Sequence, residues 1–294
     1  MAAVRDAIIL AGGRGTRMLP ASLYMPKETM PLVDTPVINH LISEAAKSGV
    51  ERVHLVLSER KMGILEEFIE NDKVFEDDVR KELPRDSLRL RSEGISLIPH
   101  IQYNPGGVAD AISVAIENID GPFLVLLGDM VVLDTHCSPD DYALDNASNA
   151  SMELVKMYEK WGLPCVGVCT VEESEISKYG VVNLSDDMVI GLVEKPSVDE
   201  APSNFVLCGR YLFPEHTSEI LQKFPVSEFG EMQSIFLLNH LIQNDGLRAV
   251  NLDQMEIYDS GDPLSWLQSQ VDHALRRDDL SDQMKEWIIE RIGE

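Results

Sequence analysis

One stretch, residues 7–17, AIILAGGRGTR, constrains the fold more than any other. The apolar run Ala7 to Leu10 has the length and bounds of a buried parallel strand. It stops at Gly12-Gly13-Arg14-Gly15-Thr16-Arg17, where three glycines fall in four positions. Such a loop lets the backbone turn sharply and bring its N–H groups close to an anion. Two arginines lie in the same loop, and Lys27 follows ten residues after Arg17. A strand, a glycine loop and converging cations supply what a triphosphate needs: backbone donors, charge neutralisation and a close fit. The loop is not a P-loop, because no Gly-Lys-Ser/Thr closes it. The spacing of Gly12, Gly13 and Gly15 also departs from the GxGxxG dinucleotide fingerprint.

The rest of the chain alternates strand-like and helix-like segments. This predicts an α/β fold with a Rossmann-like, open, mostly parallel sheet flanked by helices. With 294 residues and 44% hydrophobic content, a single domain with insertions is expected. Strands are expected at 7–10, 53–58, 98–103, 123–127, 165–171, 180–184, 189–194, 205–213, 247–252 and 255–258. Helices are expected at 37–48, 61–71, 108–119, 218–224, 230–244, 264–277 and 281–292. Residues 155–159 are too short a segment to assign. The charged, weakly periodic stretch 72–98 reads as a helical and loop excursion. The core is therefore expected over 1–262, with 263–294 a helical tail packed on it or at an oligomer contact.

Two carboxylates stand at strand ends. Asp129 closes the apolar run FLVLLGD, and Asp259 lies in Tyr258-Asp259-Ser260-Gly261 after another strand. Ligands of open α/β sheets bind at the carboxyl ends of the strands. An aspartate behind Gly128 is therefore well placed to hold a divalent cation against a phosphate. Read by itself, Asp259 is a turn residue, as Asp186 and Asp187 are in theirs, and Asp262 close by is set aside as a competing carboxylate.

The string AGGRGTRMLP…PKETMPLVDTP resembles the signature of sugar-1-phosphate nucleotidyltransferases, and within that family the bacterial-type UTP–glucose-1-phosphate uridylyltransferases. Two further strings support the likeness: Tyr179-Gly180-Val181-Val182, and Ala201-Pro202-Ser203-Asn204 followed by Gly209-Arg210-Tyr211. The resemblance implies the nucleotide-diphospho-sugar transferase fold. It also implies uridylyl transfer from UTP to glucose 1-phosphate, with Mg²⁺ as cofactor. Leu10, Ala11, Gly12, Gly13, Gly15 and Thr16 are then nucleotide-binding, with Gln102 and Gly107 at the base. Arg17, Lys27 and Lys195 become the catalytic cations. Asp129 and Asp259 become the metal ligands, and Gly180, Glu194 and Asn204 meet the sugar. Here the helix opening after Gln102 reads GVADA, where the uridylyltransferases tend to have GLGHA. That segment is nearer the thymidylyl- and guanylyl-transferring relatives. dTTP or another sugar phosphate therefore stays open as substrate, as does a non-catalytic nucleotide sensor on the same fold.

The net charge of −25 disfavours nucleic acid as a partner, since a duplex repels such a surface. It also makes the few cations near the glycine loop conspicuous. No apolar run is long enough for a membrane span. The N-terminus runs straight into the first strand without a signal-peptide pattern. Cys137, Cys165, Cys169 and Cys208 are scattered and read as reduced thiols of a cytoplasmic protein. The seven histidines are dispersed and none is assigned a role. Homo-oligomerisation is implied by the resemblance.

Overall fold

The structure, a computed structural model, describes residues 3–63, 94–104, 106–141, 143–229 and 233–293. In chain order its strands begin with β1 (Asp6–Leu10), β2 (Pro31–Leu32), β3 (Thr35–Pro36), β4 (Arg52–Leu57) and β5 (Ser96–Ile101). They continue with β6 (Phe123–Leu127), β7 (Met130–Leu133), β8 (Cys165–Thr170), β9 (Gly180–Ser185) and β10 (Met188–Glu194). The last are β11 (Phe205–Phe213), β12 (Arg248–Asn251) and β13 (Glu256–Asp259). The longer helices are α1 (Val37–Lys47), α2 (Val108–Ile116), α3 (Ala150–Trp161), α4 (Thr217–Lys223), α5 (Gln233–Asn244), α6 (Pro263–Arg276) and α7 (Ser281–Ile292).

One sheet organises the chain, in the order β5-β4-β1-β6-β11-β8-β12-β10-β9. The four strands β5, β4, β1 and β6 are parallel, and so are β8 and β12. From β11 onward the other pairings are antiparallel, including a contact of β11 with β9. The expected helix-flanked α/β sheet is present, but its parallel character is concentrated in the first half. The physical reason lies in the connections: β9 and β10 are joined by the tight Asp186-Asp187 turn, which cannot link parallel neighbours.

Strand β1 is buried on both faces, which explains its unbroken apolar run. Ala7 and Ile9 join a core cluster with Leu41 and Ile42 of α1 and Leu154 of α3. Ile8 joins a second cluster with Ile112 of α2 and Leu237 and Leu241 of α5. Alternate side chains thus feed two separate helix layers.

Four local findings depart from the sequence reading. The third sheet strand starts at Ser96, two residues before the expected 98. Residues 150–161 form a full helix, α3, which stops at Gly162 in a left-handed conformation. Its buried residues Ala150, Ser151, Leu154 and Val155 cluster in the first turns, and the exposed second half dilutes the periodic signal. A short strand, β7, follows Asp129 directly and pairs antiparallel with β13. The turn between β2 and β3 is held by Gln270 of α6. Its side chain accepts from Val33 N at 2.6 Å and donates to Pro31 O at 2.8 Å. The expected helix over 61–71 is described only through residue 63, and the excursion at 72–98 falls outside the described residues up to 93.

Helix α6 packs on β13 and β2, and α7 packs on α6. Asp262 is the N-cap of α6, accepting from Leu264 N and Ser265 N at 3.1 Å each. Among the described residues no helix is long and apolar enough to cross a membrane. All four cysteines are free thiols.

Candidate active site

The carboxyl ends of β1 and β6 meet at one point. Gly128 N donates to Leu10 O at 3.0 Å. A Cβ at residue 128 would stand 2.5 Å from Leu10 O and 3.2 Å from Ala11 Cα. Glycine is required there because the glycine loop and the Asp129 strand end touch backbone to backbone. This contact brings the first cation to the first carboxylate. Lys27, carried on a short 3₁₀ turn after the glycine loop, donates from Nζ to Asp129 Oδ2. Burial works to raise the Asp129 carboxyl. The Lys27 charge and hydrogen bond outweigh it and hold the group below its ordinary range.

The β7–β13 pairing supplies the second carboxylate. Its register sets Asp259 opposite Met130, the residue after Asp129, and Ser260 N donates to Asp129 O at 2.8 Å. Burial raises Asp259, and the nearby Asp129 charge adds to it. Arg17 and the 2.6 Å hydrogen bond from Gly261 N pull back. A Cβ at Gly261 would lie 2.7 Å from both Arg17 Nη2 and Asp259 Oδ1. This second glycine leaves room for the Arg17 guanidinium and the Asp259 carboxylate on the same side of the turn.

Two confluent hollows of about 580 and 790 Å³ open around these groups. They share Val108, Leu127, Asp129, Glu194, Lys195, Ser234 and Ile235 in their walls. Leu10, Gly12, Gly13, Arg14, Thr16, Lys27, Gln102 and Gly107 line the larger one. Arg17, Asp259, Gly180 and Tyr179 line the other. The cations that stand out in so acidic a chain thus converge on one cleft. Its combined size suits a nucleotide with a second small ligand.

In the second hollow Glu194 and Gly180 are direct cross-strand partners. A Cβ at residue 180 would come within 3.1 Å of Glu194 Oε2. Lys195 follows with φ +45°, a left-handed conformation uncommon for a non-glycine residue. Its N–H donates to Tyr179 O at 3.0 Å. The bend aims the residue at the cleft it lines. Asn204 is exposed in the turn before β11 and lines neither hollow. Ala11 is fully buried beneath the loop. Gly15 holds the loop in shape through its left-handed φ of +64°, with Ser22 Oγ donating to its carbonyl at 2.8 Å.

Sequence reasoning missed two features of this region and one beyond it. Glu28, beside Lys27, is 1% exposed and pairs with Lys61 through both carboxylate oxygens, at 2.9 and 2.7 Å. Lys61 Nζ also donates to Ala11 O at 2.6 Å. This buried pair ties the Lys27 turn to the root of the glycine loop. Ser234 and Ile235 of α5 form a wall that carried no motif signal. Away from the cleft, His40, His136 and His273 gather from distant positions, with His136 Nδ1 3.0 Å from His273 Nδ1. Burial depresses His40 to about 4 and His273 to about 3. Among the described residues no group of three or more histidine, cysteine, aspartate or glutamate side chains is arranged to hold a metal ion. Asp129 and Asp259 come together as a pair, which suits a cation that keeps waters and takes further oxygens from a phosphate.

A family model described as nucleotidyl transferase matches residues 6–273. The chain is 30% identical to the UTP–glucose-1-phosphate uridylyltransferase YngB of Bacillus subtilis, covering 98% of this chain and 96% of the relative. It is 31% identical to UTP–glucose-1-phosphate uridylyltransferase 2 of Streptococcus pyogenes serotype M1, covering 99% and 97%. Its fold is similar to that of a UTP-bound UGPase from Acinetobacter baumannii, with a TM-score of 0.81 and 27% identity over 98% of this chain and 99% of that one.

Proposed function

The chain belongs to the nucleotidyl transferase family, and we propose that it transfers the uridylyl group of UTP to glucose 1-phosphate, giving UDP-glucose and diphosphate. The observation that carries this reading is the convergence of Arg17, Lys27 and Lys195 with Asp129 and Asp259 around one cleft at the carboxyl ends of β1 and β6. The names and near-complete overlap of the relatives support the choice of UTP and glucose 1-phosphate.

A phosphate oxygen of the sugar phosphate attacks the α-phosphorus. The bond from that phosphorus to the diphosphate oxygen breaks, and the diphosphate leaves in line. No protein nucleophile is needed, so the side chains act by positioning and by neutralising charge. Gly12, Gly13, Gly15 and Thr16 form the cradle of backbone donors for the triphosphate, and Leu10 and Ala11 anchor its root, where Ala11 N donates to Val56 O at 2.9 Å. Arg17 meets the β- and γ-phosphates, and Lys27 the α-phosphate and the departing group. Lys195 anchors the sugar phosphate. Glu194 accepts from sugar hydroxyls and Gly180 lets the ring approach the backbone; Asn204 joins them as a sugar ligand on the family resemblance alone. Gln102 and Gly107 meet the uracil. Asp129 and Asp259 would hold Mg²⁺, which would supply charge neutralisation at the phosphates.

We extend the reading to a cytoplasmic enzyme, consistent with its free thiols. It is a homo-oligomer using the outer face of α6 and α7, where Leu267, Trp287, Ile289 and Ile292 are exposed. A monomer at every concentration by light scattering contradicts the second point.

The site assignment is tested with Lys27→Ala. Turnover of UTP and glucose 1-phosphate should fall by roughly a thousandfold, with the circular dichroism spectrum unchanged. A folded variant with near-normal turnover removes Lys27 from the chemistry.

A further inference from the structure

Gln102 is only 5% exposed, and its side chain is held from behind. Its Nε2 donates to Asp110 Oδ2 at 2.5 Å, and the same oxygen accepts from Gly106 N at 3.1 Å. Asp110 lies in the first turn of α2, where the free backbone N–H groups favour a negative charge. It lines neither hollow of the cleft. On its other side the Gln102 amide directs Oε1 over the glycine loop, 2.7 Å from where a Cβ at Gly12 would stand.

We infer that Asp110 is a positioning residue for base selection: it fixes which end of the Gln102 amide faces the cleft, and so restricts the site to bases that carry a proton on N3. This rests on the nucleotide reading above. An amide has a donor end and an acceptor end, whereas a carboxylate can only accept. Asp110 therefore commands the NH₂ of Gln102. Rotating the amide by half a turn would set two acceptor oxygens at hydrogen-bond distance with no proton between them. The orientation that survives offers the base an acceptor, Oε1, and the second hydrogen of Nε2. Uracil and thymine present a donor at N3 and an acceptor at O4, which match. Cytosine presents an acceptor at N3 and a donor at N4, which oppose. A site that leaves buried polar groups mispaired rejects the wrong ligand strongly.

The test compares UTP with CTP, by kcat/KM with glucose 1-phosphate and by calorimetric binding, in wild type and in Asp110→Asn. The asparagine amide can donate to a rotated Gln102 as well as accept from it, so both orientations become satisfied. The preference for UTP over CTP should fall by roughly tenfold or more in both assays. Asp110→Ala, which removes the lock altogether, should move the ratio in the same direction and serves if the asparagine variant does not fold. A preference unchanged within threefold in a folded variant overturns the proposal, even when activity with both nucleotides drops together, because that pattern marks a merely structural aspartate. Wild-type binding that prefers UTP, with a ratio that relaxes in the variant but no turnover in either, sinks the transfer reaction while upholding the role of Asp110. Failure of the wild type to bind either nucleotide sinks both.

Discussion

Replacing Lys61 by methionine is the most informative perturbation outside the cleft. All three amine protons of Lys61 are spent: on Ala11 O at 2.6 Å and on the two oxygens of Glu28 at 2.9 and 2.7 Å. Burial raises the Glu28 carboxyl and lowers the Lys61 ammonium, and each partner's charge offsets the other's shift. Methionine matches the length of the lysine stem but leaves a carboxylate 1% exposed without its hydrogen-bonded cation, and the Ala11 carbonyl without the Lys61 donor. Removing one partner of a buried pair costs about 3–5 kcal/mol. At roughly 2 °C per kcal/mol for a chain of this size, Tm should fall by about 6–10 °C. The double variant Glu28→Leu with Lys61→Met removes both charges and should recover most of that loss. Turnover should not recover with it, because the Lys27 turn has lost its tie to the glycine loop. Thermal melts and steady-state kinetics on both variants read the two effects separately. A single variant that melts within 1 °C of wild type, or a double variant restored in both Tm and kcat, refutes the reasoning.

The remaining predictions concern close approaches and titration. Gly128→Ala drives a Cβ into Leu10 O at 2.5 Å, where only backbone could yield. The variant should lose at least about 3 kcal/mol and its activity together, and a melt like that of wild type would contradict the contact. Gly261→Ala meets the side-chain ends of Arg17 and Asp259 instead. It should keep Tm within about 2 °C while raising KM for UTP, and an unchanged KM would remove Arg17 from the triphosphate site. His273, 2% exposed, is held neutral in the fold by burial, with a pKa near 3 against an ordinary value near 6.5. The unfolded chain takes up that proton below pH 6.5 and the native one does not, so stability is complete above that pH and declines as pH falls toward 3. Between pH 6 and 4 wild type should lose stability more steeply than His273→Asn, by about 1.4 kcal/mol per pH unit. Parallel slopes in denaturant titrations would contradict this.

What the sequence made legible was local. The unbroken run of β1, the glycine loop and the strand-end Asp129 announce themselves because strand, turn and charge are adjacent in the chain. Asp262 shows its role only in the fold, where it caps α6 just before Pro263. Asp259 was weaker, since its role depends on β7, a four-residue strand that resembles a continuation of β6 until its pairing with β13 is seen. Lys61 and Glu28 were invisible, because a lysine in a charged stretch gives no sign that it will be 7% exposed. The histidine cluster was hidden for a related reason: positions 40, 136 and 273 share no spacing that a periodicity could detect. The reversal of strand direction after β6 is likewise set by long-range pairing, with β11 entering the sheet antiparallel to β6.

The most direct test of the central claim is diphosphate release with Mg²⁺ in a matrix of UTP, dTTP, GTP, CTP and ATP against the 1-phosphates of glucose, galactose, mannose and N-acetylglucosamine. The account predicts that UTP with glucose 1-phosphate dominates and that UDP-glucose is the product. A dominant dTTP signal, or nucleotide binding with no diphosphate released from any pair, would contradict it.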